Sequence, residues 1–149
     1  MKPVKTCILV ADGAHVRVYI NEGPGKGIRE LTEYAREIEL KASRDIDADR
    51  PGRTFDSGGQ GRHAMESPTD AKLHVKEEFC RQISKDIESA LKAGEFDRLV
   101  LVAPPAILGD LRKEFSKTSL GKIHGELAKD LVNASDAELL LQLGHVMAV

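Results

Sequence analysis

The residues best suited to do chemistry cluster in one polar stretch: Gly52-Arg53-Thr54-Phe55-Asp56-Ser57-Gly58-Gly59-Gln60-Gly61-Arg62-His63-Ala64-Met65-Glu66. Gly58-Gly59 permits backbone angles denied to other residues and lets the backbone approach a ligand closely. Gln60 adds a neutral amide and a backbone N–H. Such a tip can enter a crowded, negatively charged place and donate hydrogen bonds without adding charge. Arg53, Arg62 and His63, with Gly61 beside them, are candidate contacts to phosphates or to a partner. The same charges also read as a solvated loop in which Asp56 pairs with an arginine. Arg44, Arg50, Arg53 and Arg62 stand against Asp45, Asp47, Asp49 and Asp56, so attraction to a polyanion is not evident from charge alone.

Other candidates read more simply. Asp12 ends the first apolar run, where nucleases of some α/β folds hold metal. Those sites need a cluster of acids. The end of the later apolar run, Ala103-Pro104-Pro105, offers none, so Asp12 reads as a turn residue. Gly23-Pro24-Gly25-Lys26-Gly27 lacks the spacing of a phosphate loop and reads as a hairpin turn. His15, His63, His74, His124 and His145 show no paired metal spacing with Cys7 or Cys80. Cys80 lies beside a core stripe and reads as a small buried residue. No metal and no cofactor are expected.

Composition narrows the classes. The 149 residues fit one domain spanning 1–149. Lys+Arg number 22 against 24 Asp+Glu, which disfavours a protein that coats nucleic acid as a whole. Trp is absent and aromatics are 4%, so a base-stacking platform is not expected. The run Cys7-Ile8-Leu9-Val10-Ala11 is too short for a signal-peptide core or a membrane span. A cytoplasmic protein without membrane contact is the expectation. The two cysteines form no disulfide framework.

The elements that position the polar stretch can be read along the chain. Residues 4–11, with Val4, Ile8, Leu9 and Val10, read as a buried strand ended by Asp12-Gly13-Ala14. His15-Val16-Arg17-Val18-Tyr19-Ile20 alternates and reads as its hairpin partner. Residues 28–40 fit a helix in part, through Ile28, Leu31, Tyr34, Ile38 and Leu40. A third meander strand at about 28–36 is preferred, because two hairpin-linked strands leave an edge that wants a partner. Residues 41–67 hold almost no large apolar residue and read as a long polar loop, a kind usually functional or disordered. Ser67-Pro68-Thr69-Asp70 then opens a helix whose Phe79, Ile83, Ile87 and Leu91 form one stripe. Ala93-Gly94 ends it. Leu99-Val100-Leu101-Val102-Ala103 reads as a central parallel strand. Pro104-Pro105 opens a helix with Ile107, Leu108, Leu111 and Phe115; residues 122–127 read as a short strand; Ser135 caps a last helix. The order β-β-β-α-β-α-β-α predicts an α/β three-layer domain with a mixed five-stranded sheet, of ribonuclease H-like topology.

Residues 52–66, the Phe79 helix and Phe96-Asp97-Arg98-Leu99-Val100-Leu101-Val102-Ala103-Pro104-Pro105 together resemble the bacterial family described as protein required for attachment to host cells. The resemblance spans nearly the whole chain. That family is similar to the middle domain of archaeo-eukaryotic peptide-chain release factors, which is ribonuclease H-like and carries a Gly-Gly-Gln loop before its first long helix. Gly58-Gly59-Gln60 stands at the matching place. The resemblance implies that Gly58 and Gly59 let the tip fit the peptidyl-transferase centre. It implies that Gln60 positions water against the peptidyl-tRNA ester, its backbone N–H acting as an oxyanion donor. Two functions follow as expectations. One is a non-catalytic interaction protein that docks on ribosome, RNA or a protein partner through this loop, using Arg53, Gly61, Arg62 and His63. The other is a stand-alone peptidyl-tRNA hydrolase of ribosome rescue, with Gly58, Gly59 and Gln60 catalytic. The first is preferred, because the chain has no room for a codon-reading domain.

Overall fold

The computed structural model describes residues 3–37 and 68–149, with side chains in the long helix from residue 74 onward. The elements run β1 (Thr6–Ala11), β2 (His15–Asn21), β3 (Arg29–Glu30), a 3₁₀ turn (Thr32–Tyr34), β4 (Arg36–Glu37), α1 (Pro68–Lys92), β5 (Arg98–Val102), α2 (Pro105–Glu114), α3 (Lys117–Leu120), β6 (Ile123–Leu127) and α4 (Asp136–Leu143). They build an α/β domain around a mixed sheet ordered β3-β2-β1-β5-β6, with β4 also paired to β2. β2 is antiparallel to β1, whereas β1, β5 and β6 are parallel.

Period-two alternation decides which helix covers which face. Cys7, Leu9 and Ala11 of β1, Val16 and Val18 of β2, and Leu99 and Leu101 of β5 point to one side. There they meet Phe79, Ile83 and Ile87 of α1 and Ile107, Leu108 and Leu111 of α2. Ile8, Val10, Tyr19, Val100 and Val102 point to the other side, against Leu139 and Leu143 of α4 and Met147. The apolar runs of β1 and β5 are thus continuous because both of their faces are covered.

The carboxyl end of α1 is fixed by local chemistry. Gly94, at φ +80, closes it: Gly94 N–H donates to Leu91 O and Glu95 N–H to Ala90 O, the paired bonds of a Schellman cap. The Lys5 ammonium donates to Gly94 O at 3.4 Å, so the carboxyl end of α1 lies at the amino end of β1. α1 therefore runs antiparallel to β1 and β5, and its amino-terminal half returns to their carboxyl ends. Ser135 caps α4, its hydroxyl accepting from Glu138 N–H at 3.2 Å, with Asp136 and Glu138 in the first turn. Ser135→Ala is expected to cost about 1 kcal/mol in chemical denaturation, with Ser135→Gly costing only a few tenths.

Three expectations need correction. β1 begins at Thr6 rather than residue 4; Val4 lies outside the sheet and is 43% exposed. The expected third strand at 28–36 is two short strands, so the sheet has six strands among the described residues instead of five. The pairing steps from Tyr19 opposite Glu30 to Val16 opposite Arg36, so the edge spends six residues where β2 spends three. The 3₁₀ turn takes up the excess. It is set by Leu31, which buries its side chain and donates its N–H to Val18 O, and by Tyr34, which packs on Phe96. α3 was not expected; it is a single turn capped by Ser116, whose N–H donates to Glu88 of α1. The remainder of the alternative helix at 28–40 and the loop at 41–67 lie outside the described residues.

Candidate functional site

The carboxyl ends of β1 and β5 are where open α/β sheets characteristically bind ligands. Here that edge is built around the β1–β2 turn. Asp12 Oδ1 accepts from the N–H groups of Ala14, at 2.9 Å, and His15, at 2.8 Å, while Asp12 N–H donates to His15 O. Gly13 sits between them at φ +96, a conformation L side chains resist. It packs beneath Ile107 of α2 and Lys76 of α1. The reading of Asp12 as a turn residue is borne out. Burial pushes its pKa up, but the two N–H donors and His15 more than offset this and hold it below its ordinary value.

His15 is the centre of the edge. Its Nδ1 lies 3.1 Å from Asp12 Oδ1 and its Nε2 lies 2.9 Å from Glu37 Oε2. The register opposes His15 to Glu37 across the β2–β4 pair, which places both side chains on the α4 face. Burial lowers the affinity of the ring for a proton, but the hydrogen bonds and charges of Asp12 and Glu37 outweigh it. The pKa of His15 is therefore raised above 6.5.

Two residues along β2, on the same face, Arg17 makes a two-pronged contact with Glu30 at 2.8 and 3.2 Å. It also donates to Val132 O, tying the sheet to the loop before α4, and its guanidinium lies over the Tyr19 ring. His15, Arg17, Glu30, Glu37, Val132 and Asn133 line an open groove of about 380 Å³. On the opposite face, Arg36 pairs with Asp86 of α1, and Arg36, Val75, Phe79 and Gln82 border a second groove of about 460 Å³.

The residues singled out for chemistry from sequence, Arg53, Gly58, Gly59, Gln60, Gly61, Arg62 and His63, all lie outside the described residues. The structure fixes the points from which their segment departs and to which it returns. Residue 37 ends β4 against His15, and Pro68 begins α1, whose Lys76 reaches Gly13. Glu37 thus lies at the carboxyl edge of β1, and α1 reaches that edge at Lys76, eight residues after Pro68.

The other sequence assignments are placed directly. Cys7 and Cys80 are buried free thiols, 0% and 2% exposed, and burial pushes Cys80 up to about 11. Neither has the lowered pKa of a nucleophile. The 23–27 segment is the expected hairpin turn, with Lys26 N–H donating to Gly23 O. Among the described residues, no group of three or more His, Cys, Asp or Glu is arranged to hold a metal ion, and no helix is long and apolar enough to cross a membrane.

Sequence reasoning missed the roles of His15 and Glu37. The Asp12-Gly13-Ala14-His15 spacing could have signalled the near pair, since a tight turn brings its ends together. Nothing local signals Glu37, 22 residues on, because its place depends on the broken edge strand.

Fold and edge together define an α/β domain with helices on both faces of a mixed sheet and a polar rim at the carboxyl ends of its parallel strands. Residues 7–143 match the family model described as protein required for attachment to host cells, and the chain belongs to that family. A comparison with curated proteins found no match.

Proposed function

We propose that this chain is a non-catalytic interaction protein that docks on the ribosome or its RNA through Gly58-Gly59-Gln60, with Arg53, Gly61, Arg62 and His63 as flanking contacts. The carrying observation is the tripeptide itself, Gly58-Gly59-Gln60 in the polar stretch of sequence between β4 and α1. Glu37, the last described residue before that stretch, contacts His15 at the carboxyl end of β1. The same reading takes the sheet order and the division of helices between its faces as ribonuclease H-like. It takes the polar segment before α1 as the counterpart of the release-factor loop. The tripeptide is the feature that favours the second reading, peptidyl-tRNA hydrolysis with Gln60 orienting water.

Co-sedimentation with 70S ribosomes and separated subunits tests this, using wild type and a Gly59→Ala/Gln60→Ala variant at low and moderate salt. Wild type is expected to pellet at both salts and the variant to stay in the supernatant. Absence of binding at either salt would overturn the ribosomal reading and leave a protein partner to be sought. If binding is seen, release of peptide from stalled ribosomes that Gln60→Ala abolishes would replace docking by hydrolysis.

A further inference from the structure

We propose that Asp12, His15 and Glu37 form a proton-dependent clasp that fastens the edge strand β4 to β2. The clasp depends on matching donors to acceptors. A neutral imidazole carries one N–H and one lone pair, whereas the imidazolium carries two N–H donors. Both partners of His15 are carboxylates, at 3.1 Å on Nδ1 and 2.9 Å on Nε2. Ionised carboxylates only accept, so the ring satisfies both only when it is charged.

When His15 releases its proton to solvent, the remaining N–H serves the partner that is held in place. Asp12 is held in place by the Ala14 and His15 backbone N–H groups, and its side chain is only 19% exposed. Glu37 is 73% exposed and free to leave. The lone pair left on Nε2 faces the Glu37 carboxylate, and the cross-strand contact opens. The consequence falls on β4 because that strand is only Arg36 and Glu37, with two paired positions on β2. Arg36 is anchored on the other face by Asp86 of α1, and on this face the His15–Glu37 bridge ties the end of the strand to β2.

The charged surroundings leave the ring to these two acids. Arg17 of β2 and Glu30 of β3 line the same groove but are occupied with each other. Val132 and Asn133, from the loop before α4, are neutral. Arg36 is turned to the other face, onto Asp86 of α1, and Lys76 of α1 lies at Gly13. Because the folded pKa is raised, the clasp's contribution is fully present below 6.5 and is lost as pH rises through the folded value.

The test is NMR on the full chain. The His15 ring protons are titrated, and amide exchange protection factors are followed for Arg36 and Glu37, with Arg29 and Glu30 of β3 as the internal reference, from about pH 5.5 to about pH 9. Wild-type His15 is expected to titrate above 6.5. Protection at β4 is expected to fall by about two- to five-fold, the scale of an exposed ion pair, along the same curve. Glu37→Gln removes an exposed carboxylate and leaves the fold intact. It is expected to bring His15 down toward its ordinary value and to flatten the β4 curve. His15 titrating at or below 6.5, or β4 protection that ignores its titration, overturns the clasp.

Discussion

Phe96→Ala is expected to destabilise the protein by about 3–5 kcal/mol, the range for truncating a buried aromatic ring. Phe96 is 2% exposed, and it belongs to the cluster between the sheet and the α1–α2 layer. It lies just after the glycine cap of α1 and just before β5, where the helix hands the chain to the central strand. Its ring packs on Tyr34 with centroids 6.2 Å apart and planes tilted by 51°. Tyr34 belongs to the 3₁₀ turn that interrupts the edge strand, and its hydroxyl donates to Glu95. One ring therefore supports the α1–β5 junction and the kink of the sheet edge together. The loss should lower the melting temperature by about 6–20 °C. Burial, followed by the hydrogen bond to Glu95, pushes the Tyr34 phenol up to about 12. In the variant the phenol should titrate lower, since part of its cover is gone. Denaturation curves and an ultraviolet titration of the tyrosines measure both effects. A loss below about 1 kcal/mol would mean that the junction is not packed as described.

Gly13→Ala is expected to cost about 1–3 kcal/mol and to disturb His15 as well. At φ +96 the backbone itself resists a side chain. A Cβ there would also lie 3.1 Å from Ile107 Cδ1 and 3.7 Å from the Lys76 side chain. Ile107 is 6% exposed, so its methyl has little room to withdraw. Gly25→Ala separates the two terms. Gly25 has φ +80 in the hairpin turn with nothing within 4 Å of a built Cβ, so it carries the backbone cost alone. Gly13→Ala should exceed it. The substitution also moves the turn that aims Asp12 at His15, so the raised pKa of His15 should fall back toward its ordinary value. Equal losses at the two glycines, with His15 unchanged, would remove the close packing of the turn on α2 from the account.

The readable parts of this fold are those whose pattern and partner are the same residues. In β1, Cys7, Leu9 and Ala11 alternate with Ile8 and Val10, and every one is buried, so the sequence shows a strand covered on both faces. Phe79, Ile83 and Ile87 announce the stripe of α1 in the same way, and Ser135 with Glu138 announces the start of α4. The edge of the sheet was less legible. Arg29, Glu30, Arg36 and Glu37 carry no apolar alternation, and a short exposed edge strand needs none. Its break at Thr32–Tyr34 follows from Leu31 and Tyr34 reaching into the core, contacts made with β2 and Phe96.

The candidate site divides along the same line. Gly58-Gly59-Gln60 stands out as a motif because its chemistry is intrinsic to three adjacent residues. His15 stood out to no pattern, because its chemistry is lent by Asp12 and Glu37. Hydrophobic periodicity, caps and glycines, which act over a turn or a strand, determined from sequence alone the kind and order of β1, β2, α1, β5, α2, β6 and α4, but neither the split of the edge into β3 and β4 nor the single turn of α3. Only the tertiary structure decided that His15 meets Glu37, that Arg17 joins Glu30 to Val132, and that β4, the last element before residues 38–67, lies along β2 at this edge. Burial of apolar area is non-directional and tolerates many partners. A hydrogen-bonded charge pair exists only where register and turn geometry bring two atoms within about 3 Å.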